Sequence, residues 1–328
     1  MTHMRRSAAA LLASVMIFTA SCTGGSVISP SAESADSTRV LNVVVTFDAL
    51  YEIALAVGGG RVSITKIMPD GAEAHDFEPL ARDLTALNSA DVFIVNGFGL
   101  DSWAEKAADA ASNPGLLYVD ASTGIVPIEP FERESSTVTD EHGVVASYNG
   151  QNAPLYGSYD PHIWLSPKCS AIMAENIRDA FCASDPDGAV IYNACCDEFT
   201  KALHALYSEY MVIFSGLDNR TVVTGHAVFA YLCRDFDLQQ NSIEGIFAEG
   251  EPSAKALAAL IEFCRDNDIT AILTEHLSSP LVAETLAAEA DAVVEEIYTM
   301  EGAEDGATFL ERMSSNLDTI RRALSPAP

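Results

Sequence analysis

The chain has 328 residues, 48% of them hydrophobic, which is enough for one large globular unit or two lobes of ordinary domain size. Aromatic residues make up 8% of it, a share that argues against a disordered chain. Lys and Arg number 18 against 47 Asp and Glu, so the formal net charge is -29, and nucleic-acid binding is disfavoured because such a surface repels phosphates.

The first 22 residues predict an export signal. Two arginines precede a short apolar run over residues 8–20, and small residues stand directly before Cys22. This pattern resembles a bacterial lipoprotein signal in which Cys22 becomes the acylated N-terminus, and a plain cleaved secretion signal is the alternative. Residues 23–38 are rich in Ser, Gly, Pro and Ala and indicate a flexible tether. We therefore expect an extracytoplasmic protein that is anchored to the cell membrane by its lipid.

From residue 39 onwards, short β-branched runs alternate with amphipathic segments. Strands are predicted over residues 40–46, 61–67, 91–96 and 116–119, and helices over residues 49–57, 80–87 and 101–111. This alternation predicts a parallel, doubly wound sheet. A polar stretch over residues 131–159 interrupts the pattern and indicates a long surface loop.

A long helix separates this first half from a second half of the same kind. Ser166 and Pro167 first open one helix as N-cap and first helical residue, and a longer helical pattern covers residues 188–214. At 1.5 Å per residue the longer helix spans on the order of 40 Å. Strands are then predicted over residues 220–224, 241–246, 270–275 and 292–298, and helices over residues 227–236, 252–265, 280–290 and 307–324.

These patterns predict an α/β protein of two doubly wound lobes that are joined by one long helix. We place the N-terminal lobe at residues 39–186, the linking helix at 187–215 and the C-terminal lobe at 216–328. Six cysteines follow the signal, but no CxxC occurs, and most lie in apolar helical segments. Buried free thiols are therefore favoured over a disulfide framework.

Three histidines stand where loops of such a fold reach a ligand crevice. His75 lies in a polar loop after a strand, His226 follows the strand over residues 220–224, and His162 precedes a helix. Loops at the carboxyl ends of parallel strands converge on the ligand crevice. Imidazole is the commonest protein ligand for zinc and related metals. Spacing alone leaves open the alternative of three unrelated histidines.

Six segments that include these histidines follow one another along the chain: AEAHDFEPLARDL, DPHIWLSP, TGHAVFAYLCRDFDL, EGEPSAKALAALIEF, TEHLSSPLVAETLAAEADA and FLERMSSNLDTIRRAL. They resemble successive signatures of the metal-binding solute-binding proteins of ABC transporters, the cluster A-I family for zinc, manganese and iron uptake. The match covers residues 40–324 in the family's order. The resemblance implies a periplasmic-binding-protein-like fold, a rigid linking helix, a monomer, and delivery of the metal to the membrane permease of an ABC importer.

Carried over residue by residue, the resemblance implies that His75, His162 and His226 bind the metal. Asp76 and Asp160 lie close to two of these histidines in sequence. Their carboxylates are candidates to orient the imidazoles, and simple turn formation is the equal alternative.

The fourth ligand is open. Tyr298 stands where many family members have an aspartate, and Ala74 stands where some zinc members have a glutamate. Glu275, at the end of its strand, is the nearest carboxylate candidate. Glu73 and His276 come behind it, and water is a further way to complete the shell.

Zinc is the metal that this donor set favours, because three imidazoles suit zinc whereas manganese prefers more oxygen donors. Manganese-type members usually have a glutamate where this chain has His226. A manganese or iron binder of the same family is the alternative. We interpret His142 as a solvated loop residue, with a role in metal capture as the alternative. His204 is interpreted as a packed or surface residue of the long helix.

A zinc hydrolase is the alternative from another functional class, since three histidines with Glu275 offer an open metal position and a general base. No HExxH motif or inverted equivalent occurs, so we expect no enzyme activity. A surface adhesin is a further alternative, without a motif to support it. Because imidazoles must be neutral to bind metal and their pKa is ordinarily near 6.5, we expect weaker metal binding below about pH 6.

Overall fold

The computed structural model describes residues 39–325, except for residues 73, 76, 130–158, 245–253, 276–280 and 304–305. Several predictions lie outside the described residues. They concern the export signal with Cys22, the tether, His142 in the polar loop, and Glu73, Asp76 and His276.

The first half of the chain forms a four-stranded parallel sheet in the order β2-β1-β3-β4. Its strands are β1 (Leu41–Val45), β2 (Val62–Lys66), β3 (Val92–Val95) and β4 (Leu117–Asp120). Every residue of β3 is buried, as expected for a strand of a parallel sheet that is covered on both faces. The carboxyl ends of all the strands therefore face one edge of the sheet, where polar loops follow them.

Helices α1 (Asp48–Gly58) and α2 (Ala104–Ala110) connect these strands. The helix predicted over residues 80–87 begins three residues later, and the segment Asp83–Ser89 is a 3-10 helix. The Asp83 carboxylate accepts the Leu80 backbone N–H at 2.8 Å, and the Asp83 N–H donates to the Leu80 carbonyl at 2.8 Å. Together with the bond from the Thr85 N–H to the Arg82 carbonyl at 3.3 Å, the spacing of three residues is that of a 3-10 helix.

Helix α3 (Pro167–Ser184) begins as predicted, because the Ser166 hydroxyl accepts the backbone N–H of Cys169 and Pro167 is the first helical residue. Helix α4 (Ala189–Ser215) is the predicted long helix, with 27 residues. It packs against α1 and α3 of the first half and against helices of the second half. The long helix therefore contacts helices of both halves and supports the two halves together.

The second half repeats the architecture, with a four-stranded parallel sheet in the order β6-β5-β7-β8. Its strands are β5 (Thr221–His226), β6 (Gln239–Glu244), β7 (Ala271–Glu275) and β8 (Val293–Ile297), and its helices are α5 (Ala230–Phe236), α6 (Ala254–Asp266), α7 (Leu281–Ala290) and α8 (Phe309–Leu324). The predicted two-lobed α/β fold is confirmed. Strand β5 runs further than predicted, so His226 is the last residue of the strand and does not follow it.

Helix α8 returns to the first half of the chain. Arg312 is 1% exposed, and its guanidinium donates to Asp48 Oδ2 at 3.0 Å and to the Gly302 carbonyl at 3.0 Å. Lys66 also pairs with Asp48, at 2.7 Å. The Phe309 N–H, at the start of α8, donates to Glu52 of α1. Buried charge pairs therefore join the last helix to the first lobe.

The apolar core is continuous across both halves, since one buried cluster contains Leu41, Phe181 and Leu203 together with Leu273 and residues of α8. The predicted burial of the thiols is confirmed at four of the cysteines: Cys169, Cys196, Cys233 and Cys264. None of the helices in the described part of the chain combines the length and apolar character that a bilayer span requires.

Candidate metal centre

Three different elements present the predicted histidines. His226 ends β5, at the carboxyl edge of the second sheet. His162 stands before a single 3-10 turn, Ile163–Leu165, that leads into α3. His75 lies in the loop after β2, and the neighbouring Ala74 is 6% exposed and packs into the core. The side chain of Ala74 therefore anchors the residue before His75 in the apolar core.

The structure brings these three histidines together. One possible ligand nitrogen from each lies within 4.8 Å of the other two. The Nε2 atoms of His75 and His162 are 3.0 Å apart, and the ring centroids of His75 and His162 lie 5.6 Å and 5.3 Å from that of His226. Two nitrogens bound to one tetrahedral zinc ion at ~2.0–2.1 Å are separated by about 3.3 Å. The arrangement therefore fits three donors to a single ion.

The three histidines differ in their exposure to solvent. His162 is 0% exposed and His226 is 7% exposed, whereas His75 is partly exposed. Burial, followed by the two neighbouring imidazoles, lowers the pKa of His75 to about 2, and burial also lowers that of His162 well below its ordinary value. The folded protein therefore keeps both rings neutral, which is the form that binds a metal.

Asp160 sets the orientation of His162. The ring Nδ1 of His162 lies 2.8 Å from Asp160 Oδ1, and the His162 backbone N–H donates to the same oxygen at 2.9 Å. Burial raises the pKa of Asp160 to about 7. A proton between Nδ1 and this carboxyl group leaves Nε2, which faces His75, free to bind a metal. Of the two interpretations for Asp160, the structure favours the orienting one.

Contacts from distant elements hold the Asp160–His162 segment. The Tyr231 hydroxyl, on α5, donates to the Asp160 carbonyl at 2.7 Å, and Asn96, directly after β3, donates through Nδ2 to the Pro161 carbonyl at 2.8 Å. The indole N–H of Trp164 donates to the Thr299 carbonyl at 2.6 Å. Sequence reasoning missed Asn96 and Tyr231. A polar residue directly after a buried strand was the available signal for Asn96, whereas Tyr231 carried none.

Glu275 lies beside His226 but outside the group of three ligand nitrogens. It ends β7, the strand next to β5, and its Oε1 accepts the His226 backbone N–H at 2.8 Å. Tyr298, the residue expected to stand where many family members have an aspartate, is held through its backbone. Its N–H donates to Asn316 Oδ1 at 2.9 Å, and its carbonyl accepts from Asn316 Nδ2 at 2.8 Å.

The lowered pKa of His75 predicts a pH-dependent stability of the metal-free protein. Below its ordinary pKa of ~6.5 the unfolded chain takes up a proton on His75 that the folded chain refuses, so stability falls as the pH falls. At pH 5.5 this costs about 1.4 kcal/mol relative to pH 8. Near pH 5.5 the pair of Asp160 and His162 carries one proton in the folded and in the unfolded protein, so it contributes little to the pH dependence of the stability.

Urea unfolding of chelator-treated protein at pH 8 and pH 5.5 measures this effect. We expect His75→Gln to lose about 1.4 kcal/mol less than the unsubstituted protein over that interval. An equal loss in both proteins would contradict a neutral His75. Protons compete with the metal for the imidazole nitrogens. Because the pKa values of His75 and His162 are lowered, this competition weakens metal binding only at a pH below the value of 6 expected for ordinary imidazoles.

Comparisons with known proteins agree on one family. The model of the family described as ZnuA, zinc-uptake complex component A, periplasmic, matches residues 43–323. A protein of Treponema pallidum (strain Nichols), whose name assigns it nothing more specific than metal binding, is 40% identical over 321 residues, or 98% of this chain and 97% of the relative. The high-affinity zinc uptake system protein ZnuA of Bacillus subtilis (strain 168) is 29% identical over 319 residues, 96% of each chain.

A solved structure gives the same fold. The laminin-binding protein Lmb of Streptococcus agalactiae, described as a bifunctional protein with adhesin and metal transporting activity, superposes with a TM-score of 0.73 at 27% identity. The alignment covers 87% of this chain and 100% of Lmb. The likeness thus extends over nearly the whole two-lobed unit.

Proposed function

The chain belongs to the ZnuA family of periplasmic zinc-uptake components, and on that premise we propose that it captures a zinc ion with His75, His162 and His226 and delivers it to an ABC importer. The family consists of metal-binding transport proteins and not of enzymes, so the hydrolase alternative is set aside. Zinc is here the transported substrate and not a resident cofactor.

The convergence of three imidazole nitrogens within 4.8 Å is the observation that carries this proposal. Two of the donors come from the first half of the chain and the third from the second half. An ion that bridges them holds the two lobes, residues 39–186 and 216–328, against each other. The linking helix over residues 187–215, supported on both sides, limits how far the lobes separate on release.

The choice of zinc over manganese or iron follows from the donors, since three imidazoles suit zinc and harder oxygen ligands suit manganese. The names of several relatives, which refer to zinc, point the same way. Adhesion is a property in the description of one solved relative, and the sequence of this chain adds no motif for it.

Metal analysis of the purified protein tests the proposal. The chain is produced without its lipid signal, its bound metals are measured by mass spectrometry, and zinc and manganese are titrated separately into chelator-treated protein. We expect one zinc ion per chain and a preference for zinc over manganese. Binding of manganese in preference to zinc would favour the alternative cargo, and no stoichiometric binding of either would overturn the proposal.

A lipid anchor at Cys22 is a further part of the proposal, supported by the signal-like pattern of the first 22 residues. In cells labelled with a fatty acid, the intact chain is expected to carry the label and to sediment with membranes. Cys22→Ala is expected to lose the label. Equal labelling of the two chains would show that Cys22 is not the acylation site.

Asp160→Asn is expected to weaken zinc binding by about 10–100-fold, because the neutral amide no longer stabilises the imidazole of His162 with a negative charge. Isothermal titration measures the change. Asp179→Asn, an exposed carboxylate on α3, is the matched control and is expected to leave binding unchanged. Equal affinities of the two variants would contradict the orienting role of Asp160.

A further inference from the structure

Glu275 is the carboxylate that the sequence suggests as a fourth metal ligand. Its hydrogen bonds and packing indicate a different role. It is 9% exposed, at the carboxyl end of β7. The parallel register pairs Val223 and Thr224 of β5 with Ile272 and Leu273 of β7, so Glu275 comes level with the end of β5. Its Oε1 accepts the backbone N–H of His226 at 2.8 Å.

The other carboxylate oxygen packs against the residue before the histidine. A Cβ placed on Gly225 would lie 2.5 Å from Glu275 Oε2 and 3.2 Å from its Cδ. That separation is too short for a real side chain, so any residue other than glycine at position 225 would displace the Glu275 carboxylate from this position. The carboxylate is therefore seated on the Gly225–His226 backbone.

The carbonyl of His226 is held as firmly as its N–H. The Thr224 hydroxyl donates to that carbonyl at 2.6 Å, and Gln240 Nε2, from β6, donates to it at 3.2 Å and to Thr224 Oγ1 at 2.7 Å. Both neighbouring strands thus fix the peptide groups of His226. Because the backbone sets where a side chain starts, these bonds fix the direction of the Cα–Cβ bond of His226 and so limit where its imidazole can lie.

We propose that Glu275 positions His226 through its backbone and does not bind the metal itself, a role that rests on the zinc site proposed above. In this role the carboxylate acts as a hydrogen-bond acceptor for a peptide N–H, and its charge is not needed to coordinate the ion. With Glu275 in this role, His75, His162 and His226 are the metal donors among the described residues.

Two substitutions separate a positioning residue from a ligand. Glu275→Gln keeps an oxygen that accepts the His226 N–H but is a poor zinc ligand, and Glu275→Ala removes both properties. We expect Glu275→Gln to bind zinc within about threefold of the unsubstituted protein and Glu275→Ala to bind about 10–100-fold more weakly, as for other residues that orient ligands. Equal losses in the two variants, or no loss in either, would overturn the proposal.

Cobalt provides a readout that does not depend on stability. The visible spectrum of the Co²⁺-loaded protein reports the ligand set, and we expect Glu275→Gln to leave it unchanged. A changed spectrum would identify Glu275 as a ligand, and this result decides the matter alone if Glu275→Ala does not fold. His226→Ala, measured alongside, is expected to weaken zinc binding by about 10²–10³-fold. If it does not, the proposed zinc site itself fails, which is distinguishable from a failure confined to Glu275.

Discussion

Replacing His162 with alanine is expected to weaken zinc binding by about 10²–10³-fold. Zinc held by four protein ligands is bound with ~10–16 kcal/mol, so one ligand accounts for about 2.5–4 kcal/mol. His162 is completely buried, and its Nδ1 is held by Asp160. Another side chain could therefore take over as metal ligand only if the site rearranged. Competition with a chromophoric zinc chelator measures affinities in this range.

His204→Ala is the matched control, because His204 is an exposed residue of α4 outside the group of three histidines. It is expected to leave the zinc affinity unchanged, whereas His75→Ala and His226→Ala are expected to resemble His162→Ala. Similar affinities for the His162 and His204 variants would contradict the assignment of the ligands.

Arg312→Met is expected to destabilise the protein by about 3 kcal/mol. The substitution breaks a buried pair with Asp48 and leaves the Gly302 carbonyl without its guanidinium donor. Breaking such a pair costs ~3–5 kcal/mol, and the lower end applies because Lys66 stays beside Asp48. For a chain of this size the melting temperature falls by about 6–12 °C. Differential scanning calorimetry of the metal-free protein measures it.

Arg322→Met, on the same helix, is the control for this effect. Arg322 is 46% exposed and pairs with Glu295 and Asp318 at the surface. Exposed pairs contribute ~0–1 kcal/mol, so the melting temperature is expected to change by no more than about 4 °C. If the two substitutions had equal effects, the buried pair of Arg312 would not be a main support of the contact between α8 and the first lobe.

Much of the fold could be predicted from the alternation of buried strands and amphipathic helices. The long helix and the Ser166 cap were found because periodicity and capping are local signals. The helix predicted over residues 80–87 is found as a 3-10 helix over Asp83–Ser89, because its backbone bonds join residues three apart, and a hydrophobic pattern over eight residues does not distinguish the two helix types. The return of α8 to the first lobe was not predictable either, since nothing near Arg312 in sequence indicates Asp48 as its partner.

The candidate site was predictable in its residues and not in its geometry. His75 and His162 are 87 residues apart in sequence, and only the resemblance to a family grouped them with His226. The contacts that hold the backbone beside His162 and at His226 come from Asn96, Tyr231 and Glu275, at the ends of other strands and on a helix. Such contacts depend on which loops meet in space, and spacing along the chain does not encode that directly.

A crystal structure of the zinc-loaded protein, with diffraction measured on both sides of the zinc absorption edge, tests the central claim most directly. We predict one anomalous peak at ~2.0–2.1 Å from Nε2 of His75, Nε2 of His162 and a ring nitrogen of His226. No peak among these three residues in the zinc-loaded protein, or a single peak elsewhere, would contradict capture of the ion by three convergent imidazoles.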